Sequence, residues 1–133
     1  MPSQQTKGVG LVGAQIAKRT VVSKGAAYTV APQDTNTVFV ATAADVVFTL
    51  PATQKGLVYT FALAAAGLSA GVGLSVSPQA ADKIMGNGFT SADNKDAINT
   101  GATDREGDLI EVTGDGDLGW YITRVIGTWA REA

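Results

Sequence analysis

The chain has 133 residues, of which 45% are hydrophobic and 17% charged, with no cysteine and no histidine. Those two zeros exclude a disulfide framework, a Cys/His zinc site, a thiol nucleophile, a Ser-His-Asp triad and a haem histidine. Ten basic and twelve acidic residues leave a formal charge of −2, and the length suits one globular domain with a core of its own.

The charge is uneven along the chain. Through residue 33 the only charged side chains are Lys7, Lys18, Arg19 and Lys24; the remainder carries six bases and twelve acids. Met1 to Gly13 is rich in Gly, Ser and Gln and holds few large side chains. Such a stretch cannot offset its ordering entropy by burial alone. We therefore expect an extended N-terminal arm over residues 1–20 and a β-rich body over 21–133. The competing expectation makes Leu11 to Val22 an ordinary first strand. The opening Met1-Pro2-Ser3-Gln4-Gln5 lacks the apolar stretch of a signal peptide.

From Gly25 onward strand signals recur at short intervals. Tyr28-Thr29-Val30 runs into the turn-like Ala31-Pro32-Gln33-Asp34, and Thr37-Val38-Phe39-Val40 follows. Asp45 to Leu50 stops at Pro51, which cannot donate to a central ladder. Lys55-Gly56 marks a turn before the alternating run Leu57 to Leu63, and Val72 to Val76 is closed by Pro78. Asp108 to Thr113 alternates, Asp115-Gly116-Asp117 turns the chain, and Trp120 to Ile126 returns; Gly127-Thr128-Trp129 ends the body. No window carries a capped helix. Short runs bounded by Gly, Pro and Asp predict an all-β fold, a single antiparallel β-sandwich or barrel-like domain.

Gly56 to Ala81 contains no charged residue, a length that meets the membrane-helix criterion of about 20 residues. Gly67, Gly71, Gly73, Tyr59, Thr60 and several serines interrupt it. Two buried strands joined by a small-residue loop account for it better, and no membrane partner is expected.

Candidate chemistry is sparse. Asp104, Glu106 and Asp108 alternate, and Glu111, Asp115 and Asp117 follow. Calcium takes six to eight oxygens, but no bidentate Glu closes an EF-hand loop after Asp115, and Asp-Gly is a favoured hairpin dipeptide. The expectation is polar turns and no metal. Asp108 and Glu111 have an odd spacing that puts them on opposite faces of a strand, against a glycosidase pair. Gly8-Val9-Gly10 and Gly86-Asn87-Gly88 lack the strand-turn-helix frame of a phosphate cradle, so no cofactor is expected. Trp120, Tyr121 and Trp129 could stack on sugars or bases. Trp120 and Tyr121 are consecutive, so one faces the core and the other a rim or subunit contact. Nucleic acid would require a basic groove beside the rings, and the body is acidic.

Asp45 to Pro51 followed by Gly56 to Phe61 resembles a recurrent unit in small structural proteins of tailed bacteriophages. Gly107-Asp108, the Gly/Asp turn, Gly119-Trp120-Tyr121 and Gly127-Thr128-Trp129 resemble the endings of those proteins. The closest fit is the head decoration, or capsid cement, family, and the likeness spans roughly Gly25 to Ala130. The resemblance implies a β-rich body, a homotrimer, an N-terminal segment that reaches the major capsid protein, and a place on the outer capsid surface of the virion. It implies no enzyme. On this reading Lys7, Leu11, Val12, Ile16, Lys18 and Arg19 of the arm bind the capsid, and Tyr59, Phe61, Trp120 and Trp129 are available for an oligomer interface. The alternative is a carbohydrate-binding phage fibre or spike module that uses the aromatic rings.

Overall fold

The computed structural model describes residues 18–64 and 72–133. Eleven strands are present among them: β1 (Thr20–Lys24), β2 (Tyr28–Thr29), β3 (Thr37–Ala41), β4 (Val46–Thr49), β5 (Val58–Leu63), β6 (Val72–Ser77), β7 (Lys83–Met85), β8 (Ala97–Thr100), β9 (Leu109–Gly114), β10 (Gly119–Ile126) and β11 (Trp129–Arg131). The only helical pieces described are two 3₁₀ turns, Pro32–Asp34 and Gly101–Thr103. The all-β expectation is met.

The strands form two sheets. The larger has six strands in the order β1-β3-β5-β9-β10-β7, and the smaller has five in the order β11-β8-β6-β4-β2. Both are mixed, and neither closes into a barrel. Five of the nine strand pairings described are parallel: β1 with β3, β3 with β5, β2 with β4, β4 with β6, and β7 with β10. This departs from the antiparallel expectation, and the reason lies in how the chain winds. From β1 to β6 it alternates between the sheets, so each strand lies beside the next but one and runs the same way. The strand in the opposite sheet serves as the crossover that a parallel pair requires. Only after β6 do antiparallel neighbours dominate, and β9 and β10 form the hairpin expected around Asp115-Gly116-Asp117.

Alternation builds the core. β3 reads buried, half-buried, buried along Thr37–Ala41, and β4 repeats this along Val46–Thr49, so the inner face holds β-branched and aromatic side chains. Phe48 of the smaller sheet packs between Phe39 and Phe61 of the larger, with ring centroids 5.7 and 4.9 Å away. Tyr59 meets Trp120 at 5.7 Å. Each such side chain contributes roughly 1.5–3 kcal/mol on burial. Trp120 brings one cost, because its buried Nε1 finds no hydrogen-bond partner.

Two turns hold the β9–β10 region in place. Asp115 Oδ1 accepts from the backbone N–H of Asp117 (2.8 Å) and of Gly119 (2.9 Å). These bonds, Gly119's first, hold the Asp115 carboxyl below its usual range. Gly119 has φ 148° and runs against the Lys83 backbone, where any side chain would overlap the Lys83 carbonyl oxygen; this close approach lets β7 pair with β10. Gly86-Asn87-Gly88 is a turn as expected, closed by Phe89 N–H donating to Gly86 O at 2.9 Å.

Candidate interaction surface

Register fixes what the outer face of the six-stranded sheet presents, because residues paired across strands share a side. One row runs Ser23, Val40, Ala62, Leu109, Ile126. The next runs Val21, Val38, Thr60, Glu111, Arg124. A third joins Val58, Thr113, Tyr121 and Met85. Apolar side chains dominate, and Val21 (63% exposed), Ile126 (51%) and Tyr121 (48%) are among the most exposed large hydrophobic residues described. By contrast, the outer face of the five-stranded sheet carries the rows Thr29–Thr49–Ser77 and Val47–Ser75–Ile98–Ala130, which are small or hydroxylated apart from Val47 and Ile98.

A polar network crosses the middle of the larger face. Arg19 Nη1 donates to Thr60 Oγ1 at 3.0 Å and lies 3.7 Å from Glu111 Oε2. Thr60 Oγ1 donates to Glu111 Oε2 at 3.2 Å, and Thr123 Oγ1 to Glu111 Oε1 at 3.0 Å. A bulge between Glu111 and Val112 in the β9–β10 ladder adds Thr123 to this side. Arg124 stands opposite Glu111 in register, exposed and outside the network. The chain reaches this sheet at its edge: Lys18 is exposed, Arg19 is seated on the sheet, and β1 is the edge strand.

The expected site residues divide into three groups. Lys7, Leu11, Val12 and Ile16 lie outside the described residues. Lys18 is exposed, whereas Arg19 is bound to the body, and the boundary between residues 20 and 21 falls inside β1. Tyr59, Phe61 and Trp120 are fully buried and Trp129 is 6% exposed, so these four are core residues and not surface available to a second copy. Their inward direction follows from the ring contacts of Tyr59, Phe61 and Trp120 and from Trp129 Nε1, which donates to Ile126 O at 3.0 Å. Of the three rings considered for stacking, only Tyr121 is exposed, and Trp120 and Tyr121 do face opposite ways.

Sequence reasoning missed Val21, Leu109 and Ile126 as members of one face, since their two neighbouring rows exist only once β1, β3, β5, β9 and β10 are aligned. No helix among the described residues is long and apolar enough to cross a membrane. Comparison with protein-family models and with curated proteins finds no match to this chain.

Proposed function

We propose that the chain is a structural virion protein that binds the outer surface of a phage capsid and stabilises the shell by bridging major capsid protein subunits. On this reading the body is a β-sandwich that assembles as a homotrimer, and the N-terminal arm is the anchor. One observation carries the proposal furthest. The outer face of the six-stranded sheet exposes Val21, Tyr121 and Ile126 around the Arg19–Thr60–Glu111 network, and the basic N-terminal segment meets the body at its edge through Lys18 and Arg19. Exposed apolar faces of this kind mark association surfaces, and copies presented together raise avidity for a repetitive shell. The interface role assigned from sequence to Tyr59, Phe61, Trp120 and Trp129 passes to Val21, Tyr121 and Ile126. The carbohydrate-binding reading retains one exposed ring, Tyr121, which is no platform by itself.

The test is co-pelleting with undecorated phage heads, comparing the full chain with one that begins at Lys18, at low and high salt. The shortened chain is expected to fold and to lose attachment. The charge-dependent share of full-chain binding fades with salt while backbone hydrogen bonding persists. Equal pelleting by both chains would show that the arm is not the anchor. Failure of both to pellet, with binding on a glycan array instead, would favour the fibre module.

A further inference from the structure

The side-chain amide of an asparagine is a latent electrophile, and the nearest nucleophile along the chain is the backbone nitrogen of the next residue. That nitrogen closes a succinimide ring where the next residue has no side chain in the way and its N–H is not held in a hydrogen bond. The asparagines of the chain are Asn36, Asn87, Asn94 and Asn99, followed by Thr37, Gly88, Lys95 and Thr100. Asn87 alone precedes a glycine, and the fold widens the difference. Asn87 and Gly88 are the exposed tip of the turn after β7, at φ 51° and 75°, both in the left-handed region as a type I′ turn requires. The turn is closed by Phe89 N–H donating to Gly86 O. Neither the Gly88 N–H nor the Asn87 side chain takes part in a described hydrogen bond. A first side-chain carbon at Gly88 would meet nothing within 4 Å, so the approach to its nitrogen is open.

The rival positions are held. Asn99 is fully buried, and its Nδ2 donates to Asp108 Oδ2 at 3.2 Å and to Thr128 O at 3.4 Å. Asn36 and Asn94 are exposed, but the residue that would attack carries a side chain in each case, and Thr37 is buried in β3. Asp115-Gly116 could close the same ring from a protonated carboxyl. There the Gly116 N–H donates to Thr53 Oγ1 at 3.1 Å, and Asp115 Oδ1 accepts from Asp117 and Gly119. Of the two exposed Xaa-Gly turns, one is locked and the other is open.

We propose that Asn87-Gly88 is a self-modification site, at which the folded chain converts asparagine into aspartyl and isoaspartyl linkages without an enzyme. Rotation about the Asn87 Cα–C bond brings the two groups together, and local opening of an exposed turn supplies it. Hydroxide takes the Gly88 N–H proton, the nitrogen bonds to Asn87 Cγ, and the Cγ–Nδ2 bond breaks. The departing nitrogen takes a proton from water and leaves as ammonia. Water then opens the ring. Breaking the bond from Gly88 N to Cγ leaves an ordinary aspartate, and breaking its bond to the main-chain carbonyl carbon leaves an isoaspartyl link through Cγ. The net change consumes water, releases ammonia and involves no oxidation or reduction. Both products add a negative charge. The isoaspartyl product also lengthens the main chain between Gly86 and Phe89, so it breaks the register of the bond that closes the turn. Phe89 packs against the core, and Gly86 lies against Ile122 of β10, so the turn loosens where β7 meets β10. The reaction is independent of capsid attachment.

The test ages the full folded chain at mildly alkaline pH and follows it by peptide mapping with mass spectrometry. The peptide that holds Asn87 is expected to gain the mass of an NH2-to-OH exchange and to split into two isomeric products, at a rate that rises with hydroxide. The peptides that hold Asn36, Asn94 and Asn99 should stay unchanged over the same period. The aged chain should melt a few degrees below the fresh one. Asn87→Gly keeps a residue suited to positive φ but removes the amide, so its melting should not fall with age. Asn87→Asp carries the charge without the isoaspartyl link and should melt nearer the fresh chain than the aged one. An unmodified Asn87 after ageing, or conversion no faster than at Asn94, would overturn the site. Full conversion with unchanged melting would overturn the loosening of the turn. The map of the unaltered chain decides the first point even if a variant does not fold.

Discussion

Arg19, one residue before β1, is tied to Glu111 in β9, with Nη1 to Oε2 at 3.7 Å and Thr60 Oγ1 bonded to both. The link spans β3 and β5, so the edge strand is fastened to the middle of the sheet by a side chain as well as by its ladder. Both partners are part-exposed, so the ion pair itself is worth at most about 1 kcal/mol.

Arg19→Ala is therefore expected to lower stability by about 1 kcal/mol and to speed amide exchange in β1, chiefly at Val21 to Ser23. Lys18→Ala, one residue away and exposed, should change neither. Hydrogen exchange read by mass spectrometry or NMR checks this. Identical exchange in the two variants would mean that Arg19 belongs functionally to the arm.

Trp120 is the largest fully buried side chain and packs on Tyr59. Trp120→Ala is expected to cost roughly 3–5 kcal/mol in urea unfolding. Trp120→Phe should cost less, because it also removes the unpartnered Nε1–H. The loss should not depend on protein concentration. A loss that grows on dilution would make Trp120 an interface residue after all.

The sequence was legible where a strand announces itself by alternation. Thr37–Ala41, Val46–Thr49, Val58–Leu63, Leu109–Gly114 and Gly119–Ile126 all lie where β-branched and aromatic residues alternate with polar ones or stop at Pro or Gly. It was not legible for Lys83–Met85, Ala97–Thr100 and Trp129–Arg131. These are three or four residues long, and their pairing partners lie far away in sequence. Parallel pairing is hidden for the same reason. Thr20 pairs with Thr37, and Thr37 with Tyr59, and nothing local to any of these strands names the next. Ring direction misled the interface assignment. Trp129 closes the chain in sequence, yet it faces Asn99 inside.

Tyr59 makes a pH prediction. Its hydroxyl donates to Ala31 O at 2.8 Å, and burial, helped by the Asp34 charge, pushes its pKa up to about 12 from 10.0. The folded state holds the phenolic proton more tightly than the unfolded chain does. The contribution is thus complete below about pH 10 and is lost as pH rises towards about 12. Tyr28, whose pKa is raised chiefly by its hydrogen bond to Asp34, acts in the same direction. Tyr59→Phe should reduce the alkaline loss of stability without abolishing it. Denaturant midpoints across this range, with tyrosinate absorbance as the titration readout, check the sign. An unaltered alkaline limb in Tyr59→Phe would refute the assignment.

Ile126 tests the outer face of the six-stranded sheet. It ends the row Ser23–Val40–Ala62–Leu109–Ile126 and is 51% exposed, so Ile126→Lys leaves the core untouched and should shift stability by no more than about 0.5 kcal/mol. A charge in an apolar contact must be desolvated, at a cost of several kcal/mol when unpaired. If this face carries the association of copies, Ile126→Lys should move the sedimentation profile towards monomer at unchanged circular dichroism. Tyr121→Lys, on a separate row of the same face, should do the same. Lys95→Glu, beside the chain's C-terminal residue, to which Lys95 Nζ donates at 2.7 Å, should leave assembly unaffected. The charge added on the face repels a partner or is buried against it, and both outcomes weaken association. Normal assembly in the Ile126 and Tyr121 variants alike would remove this face as the interface.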